Sequence, residues 1–367
     1  RIAAPMGAAR CPPSAAIRPG TPPISTPGGP PRASPPGRGT IRNQRFPRLA
    51  RHTPCGLAKD PSVLGARAVP MNAWKRIRHL VHDPPPEYVF ELSGQGLSWA
   101  RTGAPPVFGY RPLAAGIISV SPLRDNVLQP EVLAAELLAA APANGNRKRR
   151  RAALILPDYA ARISLLDFDS FPSEASEQAS LVRFRLKKSV PFDIESAAIS
   201  FQTQPSPGGG KRVEVVAAVV LVDVLARYEA VLRAANFHPG LVTISAIPMF
   251  DLVDPGRLAV VTRLFGSVLT TTVLDHGRLR LFRCVELGDA IVEETMSMLF
   301  PTFAFVEDEV GRRAEALILC GFGPAAEELK ARAGAELSAV AEPLRSRFGV
   351  PSQENAGLFG YLEALED

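Results

Sequence analysis

No run of about 18 consecutive apolar residues occurs in this chain of 367, so no segment reads as a membrane-spanning helix. The opening residues also lack the basic, apolar, small-residue order of a secretion signal. Cysteine is scarce: Cys11, Cys55, Cys284 and Cys320 are the four, and their spacing matches no metal site. Cys284 and Cys320 are expected to be small core residues in a reducing cytoplasm rather than a redox pair. The sequence contains no H-E-x-x-H, no P-loop, no Ser/His/Asp or Cys/His arrangement and no pair of catalytic carboxylates. That excludes the common zinc, P-loop and nucleophile chemistries. His238 stands alone in an expected loop and reads as a surface side chain.

Proline is the residue in excess, and its distribution divides the chain. Of 36 prolines, 15 lie in residues 1–70, with 11 Lys+Arg against the single acid Asp60. The remainder, 71–367, holds 31 Lys+Arg against 35 Asp+Glu, so the basic balance belongs to the tail and not to the body. Bulk charge therefore gives no reason to expect the body to bind nucleic acid. Residues 1–70 show no helical or strand period, and the composition predicts disorder. Met71 opens a short basic, aromatic lead, MNAWKRIRHLVHD, and is the expected native start. An intact mass that includes residues before Met71 would count against that. The alternative is an Arg/Pro arm for a polyanion.

The body is organised around residues 152–203. Ala152 to Leu156 is an apolar run closed by Pro157-Asp158, a buried strand. Arg162 to Leu165 alternates polar with apolar, and Phe168 follows. Pro172-Ser173 opens a helix with Glu174 and Glu177 in its first turns, expected to run to about Ser189. Arg183, Arg185, Lys187 and Lys188 crowd its last turns, and Val190-Pro191-Phe192 stops it. A strand from Ala197 to Gln204 completes the unit.

This order resembles the PilM proteins, actin-like components of type IV pilus assembly machines. The matching pieces are Ile155-Leu156-Pro157, Phe171-Pro172-Ser173-Glu174, Val190-Pro191-Phe192 and Ser200-Phe201-Gln202. The resemblance implies an α/β, actin-like (RNase H-like) fold of two halves with a small inserted α+β subdomain. It sets expected bounds: first half 71–161, insert 162–238, return to the first half 239–256, second half 257–367. It also implies a cytoplasmic protein at the inner face of the inner membrane. There it would hold the tail of a PilN-like membrane partner and connect to pilus or secretion motor components, with no nucleic acid involved. Leu181, Phe184 and Phe192 are the expected lining for that tail, or else simply the core of the insert.

Tyr88 to Glu91 and Leu97 to Arg101 form a hairpin around Ser93-Gly94-Gln95-Gly96. In actin-like ATPases this turn cradles phosphate and its acid holds the magnesium water shell. Glu91 stands where the family has Asp, Ser93 where it has Gly, while Gly94 and Gly96 remain. A plain tight turn is the competing reading. Ala114 to Ser121 is an expected third strand, and Val132, Leu133, Leu137 and Leu138 mark a helix from about Pro130 to Ala141. Arg147 to Arg151 reads as a solvated basic loop. Arg212 to Val222 is a strand and Asp223 caps a helix to about Ala235.

The second half is expected to begin with strands at Leu258 to Thr262, Ser267 to Leu274 and Arg278 to Phe282. Arg263, Phe265 and Ser267 stand where family members carry D-x-G-x-S, so an acid and a glycine are both replaced. Gly288-Asp289 lies in an expected helix from Glu286 to Phe300. Only about fifteen residues then precede the strand Ala316 to Cys320, implying a reduced roof over any adenine site. Gly321-Phe322-Gly323 resembles the adenosine motif with Phe322 replacing a Gly, and Asn355 to Gly360 resembles the family's terminal helix.

Three altered motifs and a short roof make the expected protein a degenerate actin-like scaffold without ATP hydrolysis and without a bound cofactor. If ATP with magnesium were bound, Glu91, Ser93, Gly94, Gly96, Ser267, Gly321 and Gly323 would line the site. The alternatives are an ATP-dependent switch with Arg263 on phosphate, and a cell-division protein of the FtsA kind. The latter is disfavoured because Leu358 to Asp367 is short and acidic for a membrane helix.

Overall fold

The first strand, β1 (Tyr88–Leu92), alternates between two buried faces, sending Phe90 and Leu92 to one core and Val89 to another. The computed structural model describes residues 85–142, 149–204 and 212–366, all within one compact unit of the chain, 45–367. The expectations for the tail, for Met71, for Arg147-Lys148 and for the turn from Pro205 lie outside the described residues.

β1 pairs antiparallel with β2 (Gly96–Arg101), which pairs with β3 (Val107–Pro112). On its other side β1 runs parallel to β4 (Arg150–Leu156), and β4 parallel to β8 (Phe237–Ile244), giving the order β3-β2-β1-β4-β8. Helices α1 (Pro130–Ala140) and α3 (Val222–Ala234) cover one face, burying Leu133, Leu137, Tyr228 and Leu232 against Phe90, Leu92 and Leu154. The expected strand at Ala114 to Ser121 is corrected: β3 lies earlier, and only Ile118 bridges, to Val127. Gly116 at φ +82° turns the chain away there, which breaks any ladder.

Arg150 also departs from the solvated reading. It is buried at the start of β4, donating to the carbonyls of Ala141 and Pro142, with its guanidinium 4.2 Å from the Phe237 ring centroid.

The insert is a three-stranded antiparallel sheet, β5 (Arg162–Phe168), β7 (Val213–Leu221) and β6 (Ala197–Gln204), in the order β5-β7-β6. Helix α2 (Ala175–Leu186) packs Val182 and Leu186 on it. Ser173 is not the cap; Glu174 precedes the first helical residue and makes no side-chain capping bond. The helix α3, counted with the insert in the sequence reading, packs on the first half's core instead.

The second half repeats the first in plan. Strands β9 (Leu258–Phe265), β10 (Val268–Asp275), β11 (Arg278–Glu286), β12 (Ala316–Cys320) and β13 (Ala341–Pro343) take the order β11-β10-β9-β12-β13, with the last two contacts parallel. Helices α5 (Ile291–Phe305) and α6 (Ala325–Leu337) cover one face. The sequence placed α5 earlier, from Glu286. Instead β11 runs on to Glu286, the helix begins at Ile291, and Pro301 is accommodated inside it. A single π turn, Val306–Val310, leads from α5 toward β12, so among the described residues no further helix roofs this half.

Two helices lie where the halves meet. The short α4 (Ala246–Met249) follows β8 directly, and α7 (Ala356–Glu366) closes the chain. α7 buries Leu358, Phe359 and Leu362 on the second face of the first sheet, against Val89, Ala153 and Ile155. α4 packs Ala246 and Met249 on the inner face of the second sheet, against Ala259, Val261 and Ile318. Their close approach depends on glycine. A Cβ on Gly360 would lie 1.9 Å from the Pro248 carbonyl oxygen, and one on Gly357 would lie 2.9 Å from that of Ser245. The motif that marked the terminal helix in the sequence is thus a packing device.

Candidate functional site

Residues 91 and 263 share a physical logic in their strands. Glu91 follows Val89 on the face of β1 that looks toward α7, and Arg263 follows Ala259 and Val261 on the face of β9 that looks toward α4. Both side chains therefore enter the junction between the halves, and both are fully buried there.

Arg263 Nη2 donates to Glu91 Oε1 at 3.0 Å and to the Gln353 carbonyl at 2.6 Å. Arg263 Nη1 donates to the Ser245 hydroxyl and lies 3.6 Å from Asp158 Oδ2. Ser245 in turn donates to Glu91 Oε1, and the Leu358 amide donates to Glu91 Oε2 at 2.7 Å. Asp158 accepts from the Ala246 amide at 2.7 Å and from the Thr270 hydroxyl at 2.9 Å. The guanidinium also stacks near the Phe265 ring, 4.6 Å from its centroid. One cation thus faces two carboxylates in a water-excluded space.

Burial pushes the carboxyls of Glu91 and Asp158 above the ordinary range, although Arg263 pulls each back down. Burial disfavours charge on Arg263 as well, but Glu91 and Asp158 outweigh it and hold the guanidinium protonated. A guanidinium is a permanent cation with fixed donors.

The candidate phosphate turns are also engaged with themselves. Ser93 Oγ accepts from the Gln95 amide at 3.1 Å and the Gly96 amide at 2.9 Å, and donates to the Gly96 carbonyl at 3.0 Å. These amides were the donors expected to meet phosphate. Gly96 is required for a different reason, since a Cβ there would lie 2.2 Å from the Tyr110 hydroxyl oxygen. A Cβ on Gly94 would meet only the Ile118 carbonyl, at 3.4 Å. Opposite, Gly266 takes φ +61°, and a Cβ there would lie 3.5 Å from Gln95 Nε2, so the two hairpin turns touch. Ser267 sits beyond that contact on the surface, its hydroxyl 3.4 Å from Glu286 Oε1.

Gly321, at φ +82°, admits the Leu264 carbonyl, which a Cβ would meet at 2.2 Å. Gly321, Phe322 and Gly323 line a cavity of about 470 Å³ with Lys330, Glu342 and Gln353. Phe322 itself is buried in the second half's core. The structure therefore brings Glu91 and Arg263 together, sets the Gly321 loop beside Arg263, since Cys320 pairs with it across the strands and Gln353 touches both, and leaves Ser267 on the surface.

Sequence reasoning missed Asp158, Ser245, Thr270 and Gln353. An acid directly after a buried strand, as at Pro157-Asp158, was the one available signal. Among the described residues no group of three or more His, Cys, Asp or Glu is placed to hold a metal ion. Cys320 is buried and Cys284 partly so; burial raises both thiols to about 12.

The residues expected to line a partner groove separate as well. Leu181 and Phe192 pack against the insert's own core, whereas Phe184 is 69% exposed. A cavity of about 540 Å³ lies instead between the Leu123 to Asp125 loop and helix α3, lined by Val224, Arg227 and their neighbours, with Leu221 at the end of β7 its one residue from the insert.

Two α/β halves of one plan, joined by crossing helices and carrying an insert in the first, are an actin-like fold. No protein-family model matches the chain, and no curated protein matches it in sequence. Among solved structures, a PilM-PilN type IV pilus biogenesis complex matches with TM-score 0.62 and 17% identity, over 77% of this chain and 97% of its own. A Bacteroides thetaiotaomicron protein with an actin-like ATPase fold gives TM-score 0.47 at 10% identity, over 76% and 96%. The cytoplasmic domain of EpsL, an inner-membrane component of the type II secretion system of Vibrio cholerae, gives 0.45 at 14%, over 76% and 94%. At these identities the likeness is one of fold.

Proposed function

We propose that this protein is a nucleotide-independent actin-like scaffold of a type IV pilus or type II secretion-like assembly platform. It works at the inner face of the inner membrane and holds the tail of a PilN-like partner. The observation that carries the nucleotide-independent part is the buried cluster of Arg263, Glu91 and Asp158. In an ATPase of this fold, a metal and phosphates draw the halves together. Here a side chain of the second half supplies that cation permanently. The fold-level match to a PilM-PilN complex supports the setting. The cavity of about 540 Å³ at the end of β7, where the insert joins α3, supports the place of docking, with apolar walls from Leu123, Leu221 and Val224.

A titration of the full chain with fluorescent ATP and magnesium, read by anisotropy, tests the first part. The expected result is no saturable binding up to millimolar nucleotide; micromolar binding would overturn it. Capture of a PilN-like tail peptide, lost on Leu123→Glu at an exposed wall of that cavity with the fold intact, tests the second.

The alternative, an ATP-binding switch, draws on the cavity beside Gly321 and Gly323. It requires Arg263 to leave Glu91, Ser245 and Gln353 before a phosphate could enter, which strips a buried carboxylate of its countercharge.

A further inference from the structure

The last turn of α2 carries an exposed aromatic ring among cations, of which Arg183 lies 3.7 Å from Glu195 Oε2. Phe184 is the most exposed aromatic side chain among the described residues, at 69%. Lys187 and Lys188 lie three and four positions on, hence beside it on the same side of the helix. The turn stays helical there, as the Lys187 amide bonds to the Arg183 carbonyl and the Val190 amide to that of Leu186. Arg185, also exposed, spends its donor on the Asp167 carbonyl rather than on a carboxylate. Among the described residues Lys187 and Lys188 have no acidic partner, and the helix's acids, Glu174 and Glu177, sit at its other end.

This patch is opposite in sign to the body as a whole, which from residue 71 onward has four more acids than bases. At 69% exposure the Phe184 ring stands out from the surface, and it lines neither of the two cavities described above. A protein ligand gains little from a lone exposed ring flanked by exposed lysines, since hot spots require enclosure. A bilayer requires none: a ring enters the headgroup boundary while lysine stems reach up to anionic phosphates.

We propose that the Phe184, Lys187 and Lys188 face of the insert is a contact for a bilayer rich in anionic phospholipid. The contact is peripheral and reversible, and it rests on this patch alone, independent of the pilus reading. It would set the orientation of the body on the membrane.

The test is sedimentation of the full chain with sucrose-loaded vesicles of phosphatidylcholine alone, or with about 30% phosphatidylglycerol. Because the basic tail of the same chain adds its own attraction, the variants carry the decision. Phe184→Ser changes no charge, so a partition lower by roughly five- to tenfold on anionic vesicles assigns the binding to this ring. Lys187→Glu with Lys188→Glu should lower it by at least about fivefold per cation, and added salt should weaken the wild type in parallel. Circular dichroism melts of the exposed-site variants should match the wild type. Equal partition of wild type and Phe184→Ser, or equal binding to zwitterionic vesicles, would overturn the proposal. So would an absence of partition, which would leave the face to an acidic protein.

Discussion

Arg263 of the second half donates to Glu91 of the first at 3.0 Å, and neither side chain reaches solvent. Breaking a buried pair from one side is costly because the other charge stays behind. Arg263→Ala should therefore lower the unfolding free energy by about 3–5 kcal/mol in urea titrations. Arg263→Met combined with Glu91→Leu and Asp158→Asn removes the uncompensated charge and should recover most of the loss. Equal loss in the single and triple variants would show that packing, not charge, accounts for the cluster.

The same cluster gives a pH dependence with a definite sign. Burial holds the carboxyls of Glu91 and Asp158 above their ordinary values of 4.5 and 3.8. The folded state therefore keeps these protons longer than the unfolded chain does. Their contribution to stability is fully present below those ordinary values and is lost as pH rises through the raised folded ones. Glu91→Gln should flatten this part of the profile, seen as a smaller fall in urea midpoint as pH rises above the ordinary value of 4.5 relative to wild type. A steeper fall in the variant would contradict the assignment.

Helix contact at the junction should be sensitive to single methyl groups. Gly360→Ala places a Cβ against the backbone of Pro248, and a backbone cannot rotate aside as a side chain can. A loss of about 1–3 kcal/mol or more is expected. Gly334→Ala, within α6 with nothing inside 4 Å, should instead stabilise by about 0.5–1 kcal/mol. Thermal melts of the two variants moving in opposite directions are the check.

The insert is fastened to the second half by polar contacts. Glu214 on β7 pairs with Arg278 and, at 2.9 Å, with Arg280, while Gln204 exchanges two hydrogen bonds with the Leu279 backbone. Glu214→Ala with Gln204→Ala should raise amide exchange across β5, β6, β7 and at Leu279. The α1 and α3 core should be unchanged. Uniform acceleration throughout the protein would mean that the insert and the halves unfold together.

Much of the scaffold is written in local patterns. The strands from Ala197 to Gln204 and from Ala316 to Cys320 are fixed by apolar or alternating runs, and their bounds agree with the structure. Boundaries slipped where punctuation was tertiary. Ala114 to Ser121 is apolar enough for a strand, but Gly116 turns it; α5 starts later than its acids suggest because β11 extends to keep pairing with β10.

The candidate site was legible only as anomalies, an acid shifted in type at 91 and an arginine where an acid was expected at 263. That the two anomalies answer each other was not legible, because they lie on different sheets and meet only when α4 and α7 bring the halves together. Asp158, Ser245 and Gln353 gave still less signal, each being an ordinary residue until its neighbours are placed. The sequence by itself determined periodicity, hence strands and helices, since these depend on residues a few positions apart, while the order of its short motifs carried the resemblance that implied an actin-like plan. The tertiary structure alone decided which charges are buried and which are paired. Burial and pairing depend on distance in space, and here they join side chains more than a hundred residues apart.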